Sequence, residues 1–508
     1  MDALNGILYG LGVAFTFNNL LAALVGALAG TLIGVLPGLG PTAGIAMILP
    51  LSYSLNPTSG LIMMAGIFYG AMYGGSTTAI LMNMPGESAS VITCIDGYKL
   101  TKKGRAGAVL TIVAAGSFFG GVLSVIGVML FAPMLAEFGL MFGPAEFFAL
   151  TAGGLLLFSR ISGGSFAAGI FPMAIGLMLS TIGQEAVTGQ DRFTMGIPDL
   201  ALGVELVALV VGLYGVAEIM SVVETLHTQP KPVGVRLREL FPSRTEWRRS
   251  LAPFGRGTVL GFLFGLLPGP SATMASFASY RLEKGVSKHK DEIGSGAIEG
   301  VAGPETANNA AATSSMVPLL ALGIPFSSVT ALMLSAMMVH GVQPGPTMMA
   351  SHPEVFWGVI ASMVVGNVML VILNVPLVGL WVSLLRVPNH VFLPLILMVA
   401  TIGCYSVRNS MIDVFLLLAV AVIGWLLRKL DFQLAPMVVG LVLGPLIEKH
   451  LREGLFLSLG EPSYFYSSPL AVAIWVVALV VLCFDAARKL VARMFGFKAE
   501  RIFPEGEE

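Results

Sequence analysis

A five-residue motif occurs twice in this chain, each time inside a long apolar stretch where a helix breaker is unexpected. Gly34-Val35-Leu36-Pro37-Gly38 lies in GTLIGVLPGLGPTAG, and Gly265-Leu266-Leu267-Pro268-Gly269 lies in GFLFGLLPGPSATMA. The two are offset by 231 positions (265 − 34), and Gly30/Gly261 and Thr42/Thr273 keep that offset. Proline removes a backbone donor and glycine permits φ > 0, so each copy predicts an interrupted helix. Broken backbone inside hydrocarbon survives only where it is buried in protein or lines a wet cavity. Two such breaks in corresponding places of two halves are the sequence pattern of a membrane binding site.

The breaks fall in a membrane protein. Hydrophobic residues make up 56% of the chain and charged ones 11%, with a mean hydropathy of +0.86; soluble domains carry roughly 25% charged residues. The apolar runs are too long for the alternating strands of a barrel, which leaves an all-α polytopic fold. A net charge of −1 says nothing about partners, and no feature points to nucleic acid. MDALNGILYG has no basic residue before its apolar run, unlike a cleaved signal peptide. Cys94, Cys404 and Cys483 lack metal or redox spacing, and none of the six histidines has ligand spacing. Catalytic triads, GxGxxG and P-loop patterns are also missing, which argues against an enzyme or an ATP motor.

Charge places the boundaries. The basic stretch 225–252, with Lys231, Arg236, Arg238, Arg244, Arg248 and Arg249, reads as a cytoplasmic linker between a first repeat, 1–224, and a second, 253–460. Residues 461–508 add a helix and a basic tail. Basic 99–105 corresponds to 343–355, which has no Lys or Arg, and basic 281–290 corresponds to 52–59, which again has none. Equivalent loops of opposite charge character predict two inverted-topology repeats. Apolar stretches at 106–134, 144–159, 163–182 and 197–222 lead to the linker, and 356–381, 390–405, 411–427, 433–448 and 468–487 follow in the second half. With the motif-bearing stretches this makes about 10–12 membrane segments. The scheme puts the N-terminus outside, and leaves Arg192, Arg408, Lys449 and Arg452 on the outer side against the rule. Basic flanks on both sides of Leu251–Tyr280 favour a re-entrant hairpin tipped at Pro268-Gly269-Pro270-Ser271. By equivalence another is tipped at Pro37-Gly38-Leu39-Gly40; a single Pro-kinked helix is the alternative at each place.

An unusually polar stretch follows each break. YGGSTTAILMNMPGES holds Ser76, Thr77, Asn83 and Glu87, and GPETANNAAATSSMVPLLALGIPFSS holds Glu305, Asn308, Asn309, Thr313, Ser314, Ser315, Ser327 and Ser328. Pro85/Pro325 and Ser88/Ser328 share an offset of 240 (325 − 85). Hydroxyls, amides and free helix-end N–H groups suit an oligocarboxylate leaving water, while unwound carbonyls suit a sodium ion. The expected binding set joins these residues to Pro37, Gly38, Gly40, Thr42, Pro268, Gly269, Ser271 and Thr273. Small and polar residues also glue membrane helices together, so the weight falls on the cluster and not on any one hydroxyl. Glu87 and Glu305 are candidate coupling carboxylates. Near the cytoplasmic interface Glu299 and Glu305 would instead suit a helix cap, and Asp96, beside a basic loop, a structural role.

These same segments resemble the large membrane subunit of the tripartite tricarboxylate transporter (TctA) family. The resemblance rests on NLLAALVGALAGTLIGVLPGLGPTAGIAMILPLSY, on YGGSTTAILMNMPGESASV with DGYKL, and on GPETANNAAATSSMVPLLALGIPFSS, and it covers essentially the whole chain. It implies a multi-pass importer of the bacterial inner membrane with a small membrane subunit and a periplasmic solute-binding protein. It also implies symport of citrate or a related carboxylate, driven by Na⁺ or H⁺ and needing no other cofactor. The second tip reads LPGPSAT instead of LPGLGPT, so the two tips need not bind identical groups. A re-entrant-loop channel and a membrane-embedded enzyme are the competing readings.

Overall fold

Long apolar runs with little turn chemistry give helices nearly throughout. A computed structural model describes residues 3–36, 39–161, 166–185, 187–225, 233–235, 237–384 and 389–495. The first half contains α1 (Ala3–Ala14), α2 (Phe17–Val35), α3 (Gly40–Ser52), α4 (Pro57–Met82), α5 (Val91–Lys102), α6 (Ala106–Gly139), α7 (Pro144–Ile161) and α8 (Phe166–Ser180). It continues through α9 (Leu206–Val210), a π-helical turn at Val211–Val216, and α10 (Ala217–Thr225). The second half contains α11 (Arg244–Gly265), α12 (Ser271–Val286), α13 (Glu299–Ser314), α14 (Met316–Leu322), α15 (Ser328–Val339), α16 (Met348–Ser351) and α17 (Pro353–Asn374). After it come α18 (Val378–Leu384), α19 (Asn389–Arg408), α20 (Met411–Lys429), α21 (Ala435–Leu457) and α22 (Pro469–Phe495).

Among the described residues, Phe17–Val35, Ala106–Gly139, Leu206–Glu224, Pro353–Asn374 and Met411–Lys429 are long and apolar enough to cross a membrane. Shorter apolar helices, among them Gly40–Ser52 and Ser328–Val339, accompany them. The expected span at 197–222 starts late, because Pro198–Leu202 forms a 3₁₀ turn and the helix begins only at Leu206. The span expected at 356–381 is cut after Asn374, where Pro376 removes a donor.

Glycine stripes hold the central helices together, and they do so twice. A Cβ at Gly26, Gly30 or Gly34 of α2 would overlap the carbonyl oxygen of Met63, Ile67 or Ala71 on α4. A Cβ at Gly257, Gly261 or Gly265 of α11 would overlap that of Gly303, Ala307 or Ala311 on α13. The glycines differ by 231 (257 − 26) and their carbonyl partners by 240 (303 − 63). The two halves therefore share one packing unit, with nine more residues (240 − 231) between break and partner helix in the second. Such close approach of backbones is how membrane helices gain contact where lipid supplies no hydrophobic drive.

Contacts between the halves run through the centre, where α6 packs on α13 and α17 on α4, and polar ones mark two ends. At one, Lys99 donates to the Gly294 carbonyl and Lys103 to that of Ser295 at 2.8 Å. Asp96 accepts from the backbone N–H groups of Gly294, Gly296 and Ala297 at 2.6–3.0 Å and from the Tyr280 hydroxyl at 3.0 Å. Arg105 pairs with Glu246 there, and Arg249 with Glu292 and Glu299. At the other, Tyr53 meets the His340 ring edge-on at 6.1 Å, and Gly358 packs beside Thr58. α4, which runs from Pro57 to Met82, separates the ends by about 39 Å at 1.5 Å per residue. The basic residues at odds with the charge rule each have an acid: Arg192 with Glu448, Arg408 with Glu205, Arg452 with Glu185 and Glu448, Lys449 with Glu453.

Candidate functional site

Both motifs interrupt a helix. α2 ends at Val35, Leu36 turns to extended backbone, and α3 begins at Gly40 with φ +60°. Pro37 and Gly38 lie outside the described residues. α11 ends at Gly265 and α12 begins at Ser271; between them Gly269 has φ +129°, which a residue with a Cβ rarely adopts. Its N–H donates at 2.9 Å to the Phe326 carbonyl, so the break is tied to the second polar stretch of its own half. Gly86 of the first polar stretch packs equivalently on the Gly34 carbonyl at the end of α2.

Those polar stretches match position for position. α4 ends on Asn83 and α14 on Gly323, both left-handed, at φ 58° and 71°. Met84 N–H then reaches back to Thr78 and Ile324 N–H to Pro318. Glu87 and Ser327 open capping boxes closed by Ser90 and Thr330. Each pair differs by 240 (323 − 83), and in each half the box presents a fresh helix start beside the break.

The break of one half meets the helix start of the other. Thr42, two residues into α3, lies 3.2 Å from Ser328 at the start of α15. Ser276 of α12 donates at 2.8 Å to the Ala89 carbonyl, beside the start of α5. A circuit of contacts therefore runs from Gly34 through Gly86 and Ala89 to α12, then from Gly269 through Phe326 and Ser328 back to α3. Thr42, Gly269, Ser271, Ser327 and Ser328 lie on it. Pro268, Thr273 and Gly40 are half-buried along its course, and Asn83 is exposed. Tyr214 lies near Ser328. It stands on the π-helical turn, whose inserted residue re-aims the helix face, as such turns do at functional sites.

A second polar group lies deeper, between α4, α5, α6 and α13. Glu305 has no exposed surface and is hydrogen-bonded to Ser76 Oγ at 2.5 Å, to Asn308 at 3.1 Å and to Thr93. Asn309 donates to Ser117 at 2.8 Å and to Asn308 at 2.6 Å, and Tyr73 donates to Asn367 at 3.3 Å. Several other expected site hydroxyls donate to their own helix. Thr313 donates to Asn309 O, Ser314 to Ala311 O and Ser315 to Ala312 O, while Thr77 is buried. Glu87 stands between the two groups, with a buried Oε1 that has no hydrogen-bond partner. Glu299, in the first turn of α13, is bound by Arg249 at 2.7–2.8 Å.

Thr93, Ser117, Asn367 and Tyr214 belong to these groups and were not expected from sequence. Among the described residues no cluster of His, Cys, Asp and Glu can hold a metal ion.

Comparison with known proteins places the chain in a family. The family model described as tripartite tricarboxylate transporter TctA family matches residues 20–439. A protein of Agrobacterium vitis, "Uncharacterized 52.8 kDa protein in TAR-I ttuC' 3'region", is 47% identical over 480 residues, 94% of this chain and 95% of that one. A second from the same organism, "Uncharacterized protein in TAR-II ttuC' 3'region", is 48% identical over 220 residues, 43% of this chain and 91% of that one. No solved structure matches.

Proposed function

Because the chain belongs to the tripartite tricarboxylate transporter TctA family, we propose that it is the subunit through which an ion gradient drives carboxylate uptake across the bacterial inner membrane. The family is one of transporters, so the chain is a multi-pass transport component and not an enzyme. Its proposed substrate is citrate or a related di- or monocarboxylate, moved by symport with Na⁺ or H⁺. Its proposed partners are a small membrane subunit and a periplasmic binding protein that delivers the substrate.

The circuit joining each break to the opposite half carries this reading. Helix starts at Gly40, Ser271 and Ser328 converge there with the hydroxyls of Thr42, Ser327 and Ser328. Free N–H groups and the positive dipole end of a helix favour an anion. A site made from both halves also changes shape when one half rocks against the other, which is what alternating access requires.

The pairing of loops supports an inverted repeat. Basic 99–105 meets 294–296 of the other half, and 52–59 meets 340–358, so partners across the interface are the loops that are not equivalent. The 2.6 Å pair between Arg256 on α11 and Glu283 on α12 supports a re-entrant hairpin at the second break, since both lie far from the tip. The proposed division remains 1–224, 225–252, 253–460 and 461–508.

Proteoliposomes holding all three components, given labelled carboxylates under a Na⁺ or an H⁺ gradient separately, test the proposal. Accumulation above equilibrium under one gradient is expected. Flux that only equilibrates under every gradient is the behaviour of a channel and rejects it. Impermeant single-cysteine labelling in intact cells should reach 343–355 and not 281–290.

A further inference from the structure

Glu305 is fully buried, and its side chain meets only neutral partners: Ser76 on α4, Thr93 on α5 and Asn308 on α13. A buried carboxylate without a cation is costly, and neutral donors offset only part of that cost. Hydrogen counting makes the point sharper. Ser76 Oγ has one proton and faces two acceptors, the Met72 carbonyl at 3.1 Å and Glu305 Oε2 at 2.5 Å. Both contacts are served only if Oε2 is itself protonated and donates to Ser76 Oγ, which then donates to Met72. Ser76 meets Oε2 and Thr93 meets Oε1, so both carboxyl oxygens are engaged by neutral hydroxyls.

We propose that Glu305 carries the coupling ion as a single exchangeable proton on Oε2, with Ser76 as its acceptor and Thr93 and Asn308 as positioning residues. This rests on the ion-driven uptake reading. The proton arrives by forming the Oε2–H bond when the site faces one side and leaves by breaking it when the site faces the other, with no redox step. The neighbouring elements present few rivals. Glu87 before α5 and Cys94 on α5 lie within electrostatic reach. Tyr73 on α4 is bound to Asn367, and Asp96 on α5 to Tyr280 of α12 and the backbone before α13. Arg249 and Arg256 on α11 are engaged by Glu299 and by Glu283 of α12. α6 carries only Glu137, near its far end, and α14 no titratable residue.

α4, the counterpart of α13, has no carboxyl at the equivalent place. At an offset of 240, Glu305, Asn308 and Asn309 correspond to Ala65, Phe68 and Tyr69. One carboxyl of this kind means one proton, not a symmetric pair.

Infrared spectroscopy of the full-length chain in lipid nanodiscs reads the protonated carboxyl directly, without substrate. The expected result is a carboxylic-acid carbonyl band at neutral pH that disappears in Glu305→Gln and persists in Glu87→Gln. Ser76→Ala, which keeps Glu305 but removes its acceptor, should move the band to higher frequency. Identical spectra for wild type and Glu305→Gln overturn the proposal. Should Glu305→Gln not fold, an unshifted band in Ser76→Ala does so instead. Loss of the band when K⁺ is replaced by Na⁺ at fixed pH also overturns it, in favour of sodium. Absence of carboxylate uptake with the band intact rejects the uptake reading and leaves the proton site standing.

Discussion

α4 and α13 receive the same glycine stripe from α2 and α11, yet they bury different chemistry. Where α13 carries Glu305, Asn308, Asn309 and Thr313, the equivalent positions of α4 are Ala65, Phe68, Tyr69 and Tyr73. Asp96, which clasps the backbone before α13, likewise corresponds to Ala336 on α15. Duplication has kept the parts that bring backbones together and let the buried polar groups diverge. Packing at a glycine stripe depends on what is absent, so it tolerates change on every other face of the helix. A polar network needs each donor matched to an acceptor, and one copy suffices for one ion.

The largest effects should fall on the shared part and fall alike. Gly30→Leu and Gly261→Leu each drive a side chain into a backbone carbonyl, of Ile67 or Ala307, that belongs to a packed helix and has no rotamer to change. The cost exceeds the about 1–3 kcal/mol of ordinary overpacking. Size-exclusion chromatography of detergent extracts should show neither variant as a folded monodisperse protein. A folded Gly261→Leu beside a lost Gly30→Leu breaks the equivalence of the halves.

Next comes the one-sided clasp. Asp96→Ala strands the N–H groups of Gly294, Gly296 and Ala297, and each buried donor left without a partner costs about 1–3 kcal/mol. Thermal unfolding should fall sharply, whereas Ala336→Ser at the equivalent place should change it little. Gly269→Leu ranks third. At φ +129° the strain is about 1–3 kcal/mol, and the side chain projects at the break. Uptake should be lost while extraction and assembly with the small subunit persist, and Gly38→Leu should behave the same way. Normal uptake in both moves the site away from the tips.

How far the sequence could go is set by the range of each signal. The breaks were legible because Pro-Gly in an apolar run has few other meanings, and the duplication because offsets of 231 and 240 survive in the letters. Side-chain partnerships were not legible. Asp96 meets a loop some 200 residues away, and Thr93 lies in a helix whose sequence, VITCIDGYKLTK, looks unremarkable. Thr313, Ser314 and Ser315 read as a polar site but bond to carbonyls three or four residues back, a local choice that sequence does not reveal. Tyr214, near Ser328, stands on a π turn that no residue pattern announces.

The smallest expected effect concerns the point where the first break meets the second half. Thr42 and Ser328 share a 3.2 Å contact, but Ser328 also has Tyr214, so removing either partner leaves the other in place. Thr42→Val keeps the volume and loses one hydroxyl, and a net hydrogen bond is worth about 0.5–1.5 kcal/mol. Backed by Tyr214, the loss should sit at the low end, about twofold in uptake. Tyr214→Phe alone should cost a similar amount. Together they leave Ser328 without either hydroxyl, and the double variant should fall about tenfold, more than the product of the two. A double-mutant cycle on uptake, with Thr273→Val as the equivalent change on α12, measures this coupling. Strict additivity means that the hydroxyls act separately and that the π turn has no part in the site. Coupling at Thr42 with none at Thr273 places the asymmetry at the tips as well as in the buried network.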